Sequence, residues 1–228
     1  FRLRYRVYCE ETGFLPSGDN PGGLERDIYD DHSSQCLLIH VASNKPVGTV
    51  RLVLPNADES GCHLPARMHS DALDSLPEVL MPSTHTAEIS RFAIIPEFRK
   101  RSADSMHAGT YSTDGLDPRR VIPNMTLGLM AGIIDMALEA DMSHLCAIID
   151  PALLRILHRL GLDFTKAGPE VEFHGKRQPV WCDLHDLLAA QEASRPEIAS
   201  VLSQGGRVHV PKTYYSAAVS KPNLPMSA

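Results

Sequence analysis

The chain lacks the spacings that build covalent or metal staples. Its five cysteines, Cys9, Cys36, Cys62, Cys146 and Cys182, lie far apart and form no C-x-x-C pair. An odd, scattered set argues against a disulfide framework and for reduced thiols in a cytoplasmic protein. There is no H-E-x-x-H and no Cys/His cluster, so no metal is expected. There is no G-x-S-x-G, which removes the usual serine nucleophile. Basic charge is in deficit: 22 Lys and Arg stand against 28 Asp and Glu, a formal charge of -6. A general nucleic-acid binder would need the opposite balance. The most apolar run, Leu127 to Leu138, is broken by Asp135 and is too short to span a bilayer. No signal-peptide pattern is visible.

What is present suits one globular domain. The chain has 228 residues, 43% of them hydrophobic, enough to bury a substantial core. Residues 1–11 read as a helix closed by Thr12-Gly13. Pro16 to Gly23 is a loop. Residues 35–42 and 47–54 read as strands joined by a turn, a hairpin by pattern. A short helix falls near Ala72 to Leu76, and residues 86–95 form a third strand. Ser102 to Arg120 is polar and reads as a loop. Asn124 to Ala140 carries the strongest helical spacing, with Asn124 placed as N-cap. His144 to Asp150 is a strand. A helix starts at Pro151 and ends at Gly161. Strands are expected at 170–173 and 179–184. A last helix over 184–203 is weakened by Pro196.

Charge placed inside apolar strands is the functional signal. Glu88, Ser90 and Arg91 lie within A-E-I-S-R-F-A-I-I, and Arg51 within G-T-V-R-L-V-L. Burying an unpaired charge costs several kcal/mol or more. These groups therefore need partners, and D-I-Y-D-D offers Asp27 and Asp30. Together with Arg4 they predict a semi-buried polar network on one sheet. Glu88 is the candidate base, because apolar neighbours raise its pKa. A purely structural pairing of Glu88 with Arg51 or Arg91 is the competing reading. Arg91 either contacts the acceptor or anchors its strand. Arg99, Lys100 and Arg101 follow the third strand as a basic cluster, either a docking patch or a solvated charge run.

Arg4, Tyr8, Phe14, Asp27-x2-Asp30, Arg51 and Glu88-x-Ser90-Arg91-Phe92 come in an order that resembles the acyl-homoserine-lactone synthases. Residues 150–179, with His174 in F-H-G-K-R-Q-P, resemble a sister group still more closely. This is the acyltransferases that accompany the exosortase (PEP-CTERM) protein-sorting system, close to the N-acyl amino acid synthases. The departures are Phe14, where the lactone synthases have Trp, and a polar insertion at about 102–121. The resemblance covers about residues 1–186, leaving 187–228 as a C-terminal helix and extended tail.

The resemblance implies an α+β GNAT-like fold, a mixed sheet splayed between its fourth and fifth strands and flanked by helices. A-E-I-S-R-F-A-I-I and H-L-C-A-I-I-D are the counterparts of those strands. It implies an acyltransferase moving a fatty acyl group to the amine of an amino acid or derivative, giving an amide. Glu88 and Arg91 would be catalytic. Arg4, Tyr8, Phe14, Asp27, Asp30, Arg51, Ser90, Phe92 and His174 would bind substrate. No cofactor is implied beyond the donor thioester on 4'-phosphopantetheine. Related coenzyme-A enzymes carry a glycine-rich loop after the splayed strand. Here no glycine follows until Gly109, which favours acyl carrier protein docked on Arg99, Lys100 and Arg101. The alternatives are a lactone synthase using S-adenosylmethionine and a non-catalytic acyl-binding domain.

Overall fold

A computed structural model describes residues 1–56, 64–99 and 118–203, with the side chains of 99 and 118–122 undescribed. Among the described residues, seven strands form one mixed sheet in the order β1-β2-β3-β4-β7-β5, with β6 paired to β7. Strand β1 (Ser33–His40) and β2 (Lys45–Val53) make the expected antiparallel hairpin. Strand β3 (Thr86–Ile94) runs antiparallel to β2, and β4 (His144–Ile149) runs parallel to β3. Strand β7 (Lys176–Asp183) closes on β4, with β5 (Thr165–Lys166) and β6 (Val171–Glu172) as short companions. This is the GNAT-like α+β fold.

Burial follows position in the sheet. β1 is an edge strand and alternates half-buried with exposed residues. β2, flanked on both sides, is buried from Val47 to Val53, and Arg51 is carried inside with it. A helix packs across β1, β2 and β3: α5 (Pro118–Glu139), whose Leu129, Met130, Ile133, Ile134 and Ala137 enter the core. The close approach depends on Gly132, where any side chain would collide with the sulfur of Cys36.

The first helix is α1 (Arg2–Tyr5), which continues as a π-helical segment over Arg6–Glu11. Two single-turn helices precede β3, α2 (Pro65–Met68) and α3 (Asp71–Asp74), and α4 (Pro96–Arg99) follows it. Helix α6 (Pro151–Arg159) starts where the Asp150 carboxylate accepts from the Ala152 N–H at 2.7 Å. Gly161, at φ +76°, follows its C-terminus. The last segment divides at Pro196 into α7 (Leu184–Ser194) and α8 (Pro196–Leu202), and Leu184, Leu187, Leu188 and Leu202 join the main core.

Three expectations change. Helix α5 begins at Pro118, so Asn124 is interior and not an N-cap, and residues 118–120 of the expected loop are helical, while 102–117 lie outside the described residues. Pro123 sits near the start, where its missing N–H forfeits one hydrogen bond. Of the two C-terminal strands, β6 lies inside the expected range but spans only Val171–Glu172, while β7 is shifted and starts at Lys176. Among the described residues, no helix is long and apolar enough to cross a membrane.

Candidate active site

Strands β3 and β4 pair only at Thr86–His144, Ala87–Leu145 and Glu88–Cys146. Beyond Glu88 they separate. On its other edge, β3 carries an irregularity against β2, because Arg51 faces Ser90 while Thr49 faces Ala93. Arg91 takes up the extra length with a left-handed φ of +50°. A bulge of this kind bends the strand and re-aims side chains. The result is a cavity of about 610 Å³ between the parted strands. One end is charged, lined by Asp27, Arg51, Glu88 and Arg91. The body is apolar, with Ile89, Met130, Ile149, Leu153 and Leu157 among its walls.

A paired network supports the charged end. Gln35, Arg51 and Ser90 stand side by side across β1, β2 and β3. Above them the turn Ile28–His32 is held by its own acids. Asp27 accepts from the Tyr29 N–H at 3.0 Å, and Asp30 accepts from the Asp27 N–H at 2.9 Å. Arg51 donates to Ser90 Oγ at 2.9 Å, to Asp27 at 2.5 Å and to Asp30 at 3.1 Å. Arg4 grips both oxygens of Asp30, at 2.6 and 3.0 Å, and donates to Glu25 at 2.5 Å. Arg91 reaches Glu25 at 3.1 Å and Asp27 at 2.8 Å. Three arginines thus meet three carboxylates, and each charge is compensated.

Glu25 is the member that the sequence reading missed. It is 1% exposed and joins Arg4 to Arg91. It lies just after a Pro- and Gly-rich loop, with no strand or helix period around it. The one available signal was a carboxylate beside Leu24, two residues before Asp27. Burial opposes ionisation of Glu25 and Asp30, but the arginine hydrogen bonds outweigh it, so both titrate below the ordinary carboxylate range.

Glu88 is arranged differently. It is 6% exposed, and its Oε2 accepts from the backbone N–H of Ala66 on α2 at 2.6 Å. Burial dominates its titration and pushes the carboxyl up to about 7, against the opposing pull of the Ala66 N–H, Arg51 and Arg91. Of the five residues expected to share one cleft, Asp27, Arg51, Glu88 and Arg91 line it, whereas Asp30 does not and stands with Arg4 behind its wall. The Tyr8 hydroxyl donates to the Phe92 carbonyl at 3.1 Å, and its ring lies under the Arg91 guanidinium. Burial raises the Tyr8 phenol to about 12, which keeps it a neutral donor.

The cavity mouth gathers rings from three segments. His69 and Phe173 lie 4.2 Å apart between centroids, Phe173 and His174 4.9 Å, and Phe14 and His174 6.0 Å. Phe14 and His174 were expected at the site, whereas His69 and Phe173 were not. The Arg99 side chain, Lys100 and Arg101 lie outside the described residues.

The family model for the acetyltransferase (GNAT) domain matches residues 3–108. No curated protein matches the chain in sequence. Among solved structures, TofI, in a ternary complex with an inhibitor and MTA, is 24% identical with a TM-score of 0.53. That match covers 86% of this chain and 88% of TofI. The AHL synthase LasI is 20% identical with a TM-score of 0.55, and 80% of each chain is covered. MesI, a CoA-dependent acyl-homoserine lactone synthase, is 18% identical with a TM-score of 0.56, over 92% of this chain and 87% of its own. The structural likenesses concern the fold. The family match marks an acetyltransferase (GNAT) domain within residues 3–108, a little under half of the chain.

Proposed function

We propose that this protein transfers a fatty acyl group from a pantetheine thioester to the amine of an amino acid or derivative, forming an N-acyl amide. The observation that carries the reading is Glu88. It is a buried carboxyl raised to about 7, placed where β3 and β4 part and facing a long apolar cavity. A general base works best when its pKa lies near the working pH.

The acceptor amine nitrogen attacks the thioester carbonyl carbon. An N–C bond forms and the C–S bond breaks. Glu88 takes the amine proton and returns it to the departing thiolate, which closes the cycle. Past Glu88, the β3 edge that faces β4 has no strand partner among the described residues, and its backbone N–H groups are the donors for the oxyanion. Asp27 and Arg91 line the charged end and orient the acceptor. Arg4, Glu25 and Asp30 hold them there. The similarity of residues 150–179 to exosortase-associated acyltransferases supports an amide product. The glycine-free stretch from Pro96 to Ala108 supports acyl carrier protein as the donor.

The purified protein is incubated with acyl carrier protein thioesters, a panel of amino acids and S-adenosylmethionine, and the products are read by mass spectrometry. An N-acyl amino acid is expected. A homoserine lactone would replace this reading with an autoinducer synthase, and no acylated product would leave an acyl-binding domain without catalysis.

A further inference from the structure

Thr126 has no place in the chemistry above, yet its environment demands a ligand. Its side chain is 0% exposed, on the face of α5 that lines the cavity. Its hydroxyl has no hydrogen-bond partner among the described residues. A helical threonine usually bonds back to the preceding turn, but this one does not. Leaving a buried hydroxyl unsatisfied is costly, and such groups in folded proteins call for an explanation.

The register of the sheet locates it. Gly128 of α5 lies against Leu38 and Gly132 against Cys36. Leu38 faces Gly48, which faces Ile94, while Cys36 faces Val50. Helix α5 therefore runs antiparallel to β3, and Thr126 lies level with the C-terminal end of β3. That is on the order of 10 Å along the strand from the bulge at Arg91. Met130, one turn on, is the next α5 residue in the cavity, and it is apolar. A thioester held at the bulge has two arms. A plain acyl chain carries no polar atom to offer. A pantetheine arm carries amide groups a few bonds from the sulfur.

We propose that the Thr126 hydroxyl donates a hydrogen bond to an amide carbonyl of the donor's pantetheine arm, making Thr126 a donor-specificity residue. The inference rests on the acyl-transfer reading. It also orients the donor: the arm occupies the α5 end of the cavity, and the acyl chain takes the space beside Leu153, Ile156 and Leu157 of α6.

The test is a binding cycle that needs no acceptor. Calorimetry measures octanoyl-pantetheine, and the octanoyl thioester of 6-mercaptohexanesulfonate, which has no amide. The proteins are the wild type, Thr126→Val and Thr126→Ser. Thr126→Val should weaken the pantetheine probe by roughly 3- to 10-fold, the worth of one hydrogen bond, and leave the amide-free probe unchanged. Thr126→Ser should restore binding. Thr126→Val should melt no lower than the wild type, because a methyl replaces an unsatisfied hydroxyl. Equal losses with both probes, no loss with either, failure of the wild type to bind octanoyl-pantetheine, or a lower melting temperature for Thr126→Val would each overturn the proposal. Failure of acyl transfer itself shows separately, as absence of an amide product in the catalytic assay.

Discussion

Asp27 and Arg51 meet at 2.5 Å at the charged end of the cavity, with Arg51 1% exposed and Asp27 still lining the space. A guanidinium sealed inside β2 thereby holds a carboxylate that an incoming amine can reach. The pair joins a neutral network to the cavity.

Acyl transfer should depend on ionised Glu88. The rate should rise with pH through about 7, where the buried carboxyl loses its proton. Glu88→Gln should lower kcat by roughly 10²–10⁴-fold and abolish this inflection. A pH–rate profile of both proteins checks it, with circular dichroism confirming the fold. Near-normal turnover in the variant would return Glu88 to a structural role.

Stability should respond to the same residue with the opposite sign. The folded-state value of Glu88 lies above the unfolded value of 4.5, so folding favours its protonated form. That stabilisation is complete below about pH 4.5 and is lost as pH rises to about 7, on the order of 3 kcal/mol. The melting temperatures of wild type and Glu88→Gln should agree near pH 4. At pH 8 the variant should melt higher. A variant that melts lower at pH 8 would contradict the burial argument.

Glu25 and Asp30 act in the other window. Their folded values lie below the unfolded 4.5 and 3.8, so their stabilisation is present above those values and is lost as pH falls through the folded ones. Arg4→Met leaves two buried carboxylates short of a partner and should cost about 3–5 kcal/mol at pH 7. Urea unfolding of the variant at pH 7 and at pH 4 checks this, and the deficit should shrink at the lower pH.

The donor should be a carrier protein. Rates with acyl carrier protein thioesters should exceed those with the matching coenzyme A thioester. Alanine at Arg99, Lys100 and Arg101 together should raise the apparent KM for the carrier more than it lowers kcat. A clear preference for coenzyme A would sink the expectation.

The strands, the first hairpin and the main helix were legible in local pattern, because alternation and helical spacing are properties of neighbouring residues. The polar network was legible in part, since an arginine inside Val-Arg-Leu-Val has no local way to satisfy its charge. Its identity as a set was not. Glu25 sits just after a loop whose sequence resembles any exposed turn, and only the packing of α1 over the sheet seals it between Arg4 and Arg91. Short strands such as β5 depend on a neighbour's free edge and leave almost no trace of their own.

The sequence by itself determined which charges are embedded in apolar strands and the order of the motifs, because composition and period belong to the chain. Only the tertiary structure decided which carboxylate each arginine holds, where β3 leaves β4, and that Glu88 escapes the ion pairs to sit near neutrality. Each of those depends on the exclusion of water by segments far apart in sequence. Desolvation is a property of the packed molecule and has no counterpart in a string of residues.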